Sequence, residues 1–291
     1  MNSACDRLSG PREEELRNHV LIAPAGWSQV QGFHRASVDP DGHADLIGAV
    51  QRFRGRCYLA DGAIGPDELT VDGRHVQPMD DQSWHLVIRS DEGDVISCAR
   101  YHSVKNPRFE STAAAGSALA QLPDWRGKVA RIVERSIREA NARGAHFAEL
   151  GGWCVADLSR HSRHALRSVL YMFALGEILG GTIGLSTATT RHCSSSILQR
   201  LGARKASLDG EELPSYFDRR FDCEMELLQF DSLRPSPKYA RQVAEYRALL
   251  RSDMRVLCAT DAAPTSIASL TSLLAALTAA LPVPAPVAPL Q

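Results

Sequence analysis

A three-layer α/β domain built on a mixed sheet is what this 291-residue sequence predicts, on three observations. Extended apolar segments alternate with segments of helical period, an order that joins parallel strands through helical crossovers. Two short runs, Trp84 to Ile88 and Val95 to Tyr101, flank the turn Asp91-Glu92-Gly93-Asp94 and read as an antiparallel hairpin. The strand predicted over 146–155, HFAELGGWCV, is interrupted by Gly151-Gly152, and paired glycines inside a strand mark a bulge or a close backbone approach.

Residues 1–43 mix Pro, Gly, Asp and Arg with little periodicity and read as an irregular leader. Ala44, Ile47, Val50 and Phe53 recur every third residue, which predicts a helix running into Arg54. After the hairpin, Val129, Ile132, Val133, Ile137 and Ala140 share one face of a helix over 126–143, and Gly144 sits where its C-cap belongs. Beyond the glycine-interrupted strand comes a helix with Leu166, Val169, Leu170, Phe173 and Ile178 inward, closed by Gly180-Gly181. Thr182 to Thr189 is a second buried strand, Ser194 to Leu201 a helix stopped by Gly202, and Phe221 to Phe230 an alternating last strand. A core domain over 44–232 is thus expected, followed by a helical extension over 233–260.

The segment 261–291 has no charged residue after Asp261. Ile267, Leu270, Leu273, Leu274, Leu277 and Leu281 form a helical stripe ahead of the Pro/Ala-rich end, too short and too rich in Ser and Thr to span a membrane. It reads as a docking or self-association helix, or as a membrane-surface anchor, against which the missing basic residues count. Lys+Arg 33 against Asp+Glu 34 leaves a net charge of -1, which argues against nucleic-acid binding driven by bulk charge. Seven scattered cysteines without a CxxC pair, and an N-terminus lacking the apolar run of a secretory signal, lead to the expectation of reduced thiols in the cytoplasm.

Chemistry concentrates between Glu149 and Leu170. A strand ends at Val155, a polar loop follows, and a helix begins near His164. Such a junction presents unpaired backbone N–H groups and a positive dipole end, a seat for phosphate. Arg160, His161, Arg163, His164 and Arg167 crowd it against the single acid Asp157. The plainer reading is a solvated helix start. His161 and His164 have no evident third ligand and basic neighbours that would repel a cation, so no metal is expected.

The run Arg160-His161-Ser162-Arg163-His164-Ala165, following Val155, resembles the Arg/Gln-x-x-Gly-x-Gly/Ala junction of the acyl-CoA N-acyltransferase superfamily (the GNAT fold), with Arg163 in place of a glycine. Further elements, in order, resemble the branch of autoinducer (acyl-homoserine-lactone) synthases and N-acyl amino acid synthases. They are Arg54-Gly55-Arg56-Cys57-Tyr58, Asp80-Asp81-Gln82-Ser83-Trp84-His85, Ser97-Cys98-Ala99-Arg100, Glu149-Leu150 with Val155, and TIGLSTATTRHCSSSILQRLGA. The resemblance covers roughly residues 45 to 230. Gly151-Gly152-Trp153 stands where autoinducer synthases carry Ser-Arg-Phe, and losing that arginine points to an acceptor other than the homoserine-lactone precursor.

The resemblance implies a GNAT-like fold with a splayed parallel strand pair, and an N-acyltransferase taking its acyl group from phosphopantetheine, on acyl carrier protein or on CoA, with no permanently bound cofactor. The pantetheine would lie at the glycine pair beside Trp153, Cys154 and Val155, with Arg160, Arg163, His164 and Ala165 at its phosphate end. A basic collar of this kind suits an acidic carrier protein. Glu149 is expected as general base through a water, or as a structural carboxylate paired with Arg54 or Arg100. Tyr216 is expected as the acid for the leaving thiolate, or as an ordinary loop tyrosine. Arg54, Asp81 and Arg100 would bind an amino acid acceptor or form a salt-bridged network, and Thr187 would flank the acyl tunnel. An acetyl-CoA-dependent small-molecule acetyltransferase and a non-catalytic acyl-binding protein on the same fold remain the alternatives.

Overall fold

The computed structural model describes residues 16–27, 32–156 and 163–260. The start of the expected leader, Arg160 of the basic loop and the apolar segment from 261 onward lie outside the described residues.

The strands are β1 (His19–Ile22), β2 (Ala36–Val38), β3 (Trp84–Arg89), β4 (Val95–Ser103), β5 (His146–Val155), β6 (Thr182–Thr189), β7 (Arg204–Lys205), β8 (Ser207–Leu208), β9 (Glu211–Glu212), β10 (Tyr216–Asp218), β11 (Cys223–Asp231) and β12 (Arg255–Cys258). Ten of them form one mixed sheet in the order β10-β11-β6-β5-β4-β3-β1-β12-β2, with β7 against β11, while β8 and β9 pair as a separate ribbon. The helices are α1 (Pro40–Ala60), α2 (Ala118–Gln121), α3 (Pro123–Ala142), α4 (His164–Ile178), α5 (Ser194–Leu201) and α6 (Ala240–Ser252).

One face of the sheet packs Trp84, Leu86, Tyr101, Leu150 and Phe230 against α4, α5 and α6. On the other face α1 covers Val87, Cys98 and Cys154, and α3 covers Phe147, Ile183, Leu185 and Leu227. The three-layer α/β arrangement expected from the sequence is the one observed.

Two boundaries differ. The expected leader contributes β1, which lies between β3 and β12, and β2 at the sheet edge. His19-Val20-Leu21-Ile22 is buried on both faces, so it has no alternation for a period of two to reveal. The expected helical extension also closes the sheet: α6 turns Val243, Tyr246 and Leu250 into the core, and β12 then enters between β1 and β2. The limits drawn at 43 and 232 therefore do not hold. Helix α1 also starts earlier than its apolar spacing suggests, because Pro40 follows Asp39, whose carboxylate accepts from the Gly42 N–H at 2.9 Å.

The region around β5 matters most. Against β4 the antiparallel register runs Cys98↔Cys154 and then Arg100↔Gly151, so Gly152 and Trp153 together oppose Ala99. This is the bulge expected at the glycine pair, and Gly152 adopts φ +57, a conformation glycine takes without steric cost. On its other side β5 pairs in parallel with β6 only from His146↔Thr182 to Glu149↔Leu185. Beyond that rung the Ser186 hydroxyl still reaches the Leu150 carbonyl at 3.0 Å, while β6 stays paired with β11 as far as Thr189. The splayed parallel pair is present, and β5 is the strand that departs.

Candidate functional site

The gap opens immediately above Glu149 and Leu185, with the β5 backbone of Leu150 to Trp153 on one side and Ser186 to Ala188 on the other. Thr187 is half-buried on the β6 side, past the last rung shared with β5. The extra residue in the bulge reverses side-chain alternation along β5. Trp153 consequently packs toward the α4 core, where its indole N–H is buried without a hydrogen-bond partner among the described residues. Cys154 turns the opposite way, under α1, where burial and the neighbouring Cys57 and Cys98 thiols push its own thiol up. Cys154 therefore offers the gap its backbone, not its sulfur.

Glu149 occupies the last paired rung and is buried. Its two carboxylate oxygens accept from the Ala113 N–H at 2.8 and 3.0 Å. Burial pushes its carboxyl up to about 7, against the downward pull of the Ala113 and Ala114 N–H groups and the Arg100 charge. No ion pair joins Glu149 to Arg54 or Arg100, so the salt-bridged alternative does not apply to it among the described residues. Nor does Trp153 bury it, since the bulge sends that ring to the other face.

The arginines instead converge on Asp80. A 3₁₀ turn over Asp80–Gln82 directs Asp80 inward and leaves Asp81 exposed, which corrects the expectation for Asp81. Adjacent acids cannot be told apart before the turn assigns one of them to the interior. Arg54 grips Asp80 with Nη1 and Nη2 at 3.0 and 2.6 Å, and its Nη2 also donates to the His75 carbonyl at 2.6 Å. Arg100 donates through Nη1 to Asp80 Oδ1 at 3.0 Å and to the Gln77 side chain. The Gln51 amide and the Gln77 N–H complete the shell at 3.1 and 3.0 Å. Despite its burial, the arginines and these N–H groups hold Asp80 well below the usual carboxylate range. Two guanidinium groups share one carboxylate, so the cluster keeps a net positive charge. The Nε of Arg100 is buried without a partner among the described residues, and its Nη2 lies 3.7 Å from where a Cβ on Gly151 would stand. The unused edge of this guanidinium faces the bulge.

At the upper end of the gap Val155 pairs with Ser97, and α4 begins at His164 with Ala165 in its first turn. The Ser97 hydroxyl meets that of Ser168 at 3.1 Å, tying α4 to β4. Arg163 is exposed and precedes the helix at φ -79, so this turn requires no glycine where the superfamily has one. By helix geometry the first N–H groups of α4 have no acceptor within the helix.

Tyr216 lies elsewhere. It is in β10, paired with Met225, two strands outward from β6 by way of β11. That is about 10 Å of sheet. Its ring is buried in the α3 core and burial pushes its hydroxyl up, so it is a core tyrosine and does not meet a thiolate in the gap.

One polar residue at the site was not expected. His102 stands directly opposite Glu149 in the β4–β5 ladder and on the same face, two residues after Arg100. A strand read as ending at Tyr101 omits it, whereas β4 continues to Ser103. Continuing the alternation Cys98, Arg100 by one more step would have found it.

No protein-family model matches the sequence, and no curated protein is similar to it. Among solved structures the chain is similar to the CoA-dependent acyl-homoserine lactone synthase BjaI with SAM and isopentyl-CoA, at 10% identity over 87% of this chain and 98% of that one, TM-score 0.49. It is also similar to the CoA-dependent acyl-homoserine lactone synthase MesI, at 12% identity over 81% and 98%, TM-score 0.47. A third is mosquito arylalkylamine N-acetyltransferase like 5b, at 14% identity over 64% and 95%, TM-score 0.41. Scores below 0.5 at such identities assign no activity. Among the described residues no helix is long and apolar enough to cross a membrane.

Two substitutions test this electrostatic arrangement. Asp80→Ala leaves two buried guanidinium groups without their carboxylate and should cost about 3–5 kcal/mol in urea unfolding at pH 7. Because the folded carboxyl titrates below its ordinary 3.8, the pair's contribution is complete above that pH and is lost only as pH falls below it. Glu149 behaves oppositely: its raised value makes its contribution complete below the ordinary 4.5 and lost as pH rises through about 7. Glu149→Gln should therefore match the wild type near pH 4 and exceed its stability at pH 8 by about 3 kcal/mol.

Proposed function

We propose that this protein is an N-acyltransferase that moves an acyl chain of medium or long length from a pantetheine thioester to the amine of an amino acid. The observation that carries the reading is the parting of β5 from β6 at Glu149, which places a buried carboxyl titrating near neutrality at the foot of an open backbone edge. Thioester aminolysis needs a deprotonated amine, a polarised carbonyl and two aligned substrates. An extended pantetheine arm pairs with the β5 edge as an added strand, and N–H groups at the bulge, around Trp153 and Cys154, donate to the thioester oxygen. Glu149 takes a proton from the incoming ammonium through a water, a task for which a value near 7 is suited.

Arg100 binds the acceptor's carboxylate. Its free guanidinium edge and the net positive charge of the Asp80 cluster both favour an anion. Arg100 pairs with Gly151 and His102 with Glu149, so Arg100 and Glu149 lie two residues apart along the ladder on one face. That spacing is about 7 Å, which accommodates an amino acid with its carboxylate at one end and its amine at the other. Thr187 borders the acyl chain on the β6 side, and Arg54 supports Arg100 through Asp80. The start of α4, with Arg163, His164 and Ala165, receives the phosphate end of the donor. Exposed Arg163 and neighbouring Arg160 favour an acidic acyl carrier protein over free CoA as the donor.

Organic extracts of cells overproducing the chain should contain an N-acyl amino acid by mass spectrometry, absent when Glu149→Gln is expressed at the same level; extracts without any such amide would reject the proposal. Charge reversal of Arg160 and Arg163 should slow transfer from acyl carrier protein by about 10-fold or more at low salt, and much less at high salt. Equal rates for the variant at low salt would remove the carrier from the proposal and leave CoA.

A further inference from the structure

We infer that His102 is a second catalytic base at this site, accepting the acceptor nitrogen's last mobile proton and delivering it to the departing sulfur. The inference rests on the acyltransferase reading above and supplies what that reading lacks, since Tyr216 lies too far away to protonate a thiolate.

The geometry assigns the tautomer. The Ser83 hydroxyl donates its only proton to the Met79 carbonyl at 2.6 Å, so toward His102, 3.0 Å away, it can only accept. Nδ1 of His102 therefore carries the ring proton. Hydrogen bonding to the Gln82 backbone pulls the ring's proton affinity upward. Burial and the Arg100 charge lower the affinity of this imidazole for a second proton, which keeps it neutral at physiological pH. A neutral ring protonated at Nδ1 has its lone pair at Nε2.

The strand register sets this ring beside Glu149. Trp84 pairs with Tyr101 and His102 with Glu149, so Ser83, His102 and Glu149 form a row across the edges of β3, β4 and β5. The ring is half-buried, Ser83 is fully buried, and no ion pair joins His102 to Glu149 among the described residues. The charged groups around it are Arg100 on its own strand, Glu149 across the ladder, and Asp80 with Arg54 behind Arg100. The 3₁₀ turn that buries Asp80 is the same segment that places Ser83, so one element sets both the acceptor-binding charge and the histidine tautomer.

The proton count closes. The ammonium of the acceptor loses one proton to Glu149 through a water and attacks the thioester carbon, forming the C–N bond. Its nitrogen, now cationic, passes a second proton to Nε2 of His102. The tetrahedral adduct collapses, the C–S bond breaks, and the thiolate takes that proton from the imidazolium. The third proton stays as the amide N–H, and Glu149 returns its proton to solvent. Nitrogen and sulfur are bound to the same carbon in the adduct, so one imidazole serves both.

Two measurements on the full chain test this. Long-range ¹H–¹⁵N spectra at pH 7.5 should show His102 as the Nδ1–H tautomer, with Ser83→Ala abolishing that preference; an Nε2–H tautomer or an imidazolium in the wild type overturns the inference. With octanoyl-pantetheine and a mixture of the twenty amino acids, His102→Gln and His102→Asn should lower thiol release and amide formation together by about 10²–10⁴-fold, with KM for the thioester within about twofold of wild type. Either variant turning over at the wild-type rate overturns the role of His102 alone and leaves the acyltransferase reading intact. Absence of amide from the wild type as well overturns that reading, and this inference with it.

Discussion

Everything at the site depends on β5 holding two different partners in two different ways. Against β4 it carries one residue too many, and the surplus at Gly152–Trp153 bends it and reverses which side chains face which layer. Against β6 it keeps only four rungs. A strand bent at its middle cannot remain parallel to a straight neighbour, and β6 stays straight because β11 pairs with it along its length. The open edge is thus a consequence of pairing geometry.

The second constraint is electrostatic. Burying two guanidinium groups is costly unless their N–H groups are satisfied. Asp80 takes both Nη groups of Arg54 but only one of Arg100, and the Nε of each is left without a partner among the described residues. The remainder, a net charge and an unused Nε edge, is turned toward the bulge. Beside it sits a carboxyl that burial brings close to neutrality and an imidazole that burial keeps uncharged. Low polarity around the gap thus moves the carboxyl up and the imidazole down, each toward its uncharged form.

Much of this was legible beforehand, and the reasons can be given residue by residue. Gly151-Gly152 in an apolar strand announces a bulge because few other residues accept the backbone there. Alternating strands and amphipathic helices announce three layers because each apolar face needs a cover. Glu149 inside an apolar run announces a buried carboxyl. What escaped was short or combinatorial. β1 is only four residues long and wholly apolar or histidine, and β12 lies after a segment that looked like an appendage. Asp80 and Asp81 differ only in which way one 3₁₀ turn points them. Tyr216 fell to the second strand from the gap because β10 pairs with β11 and not with β6.

Local chemistry alone therefore determined the layer architecture, the position of the bulge, the basic helix start and the presence of a carboxyl at the strand's centre. Each of these follows from residue type and period, quantities that a linear chain carries within a few neighbours. The tertiary structure decided which acid meets the arginines, which tyrosine is core, and that His102 faces Glu149 across a rung. The last of these depends on register between strands about 50 residues apart in the chain, where a slip of one position moves every side chain to the opposite face.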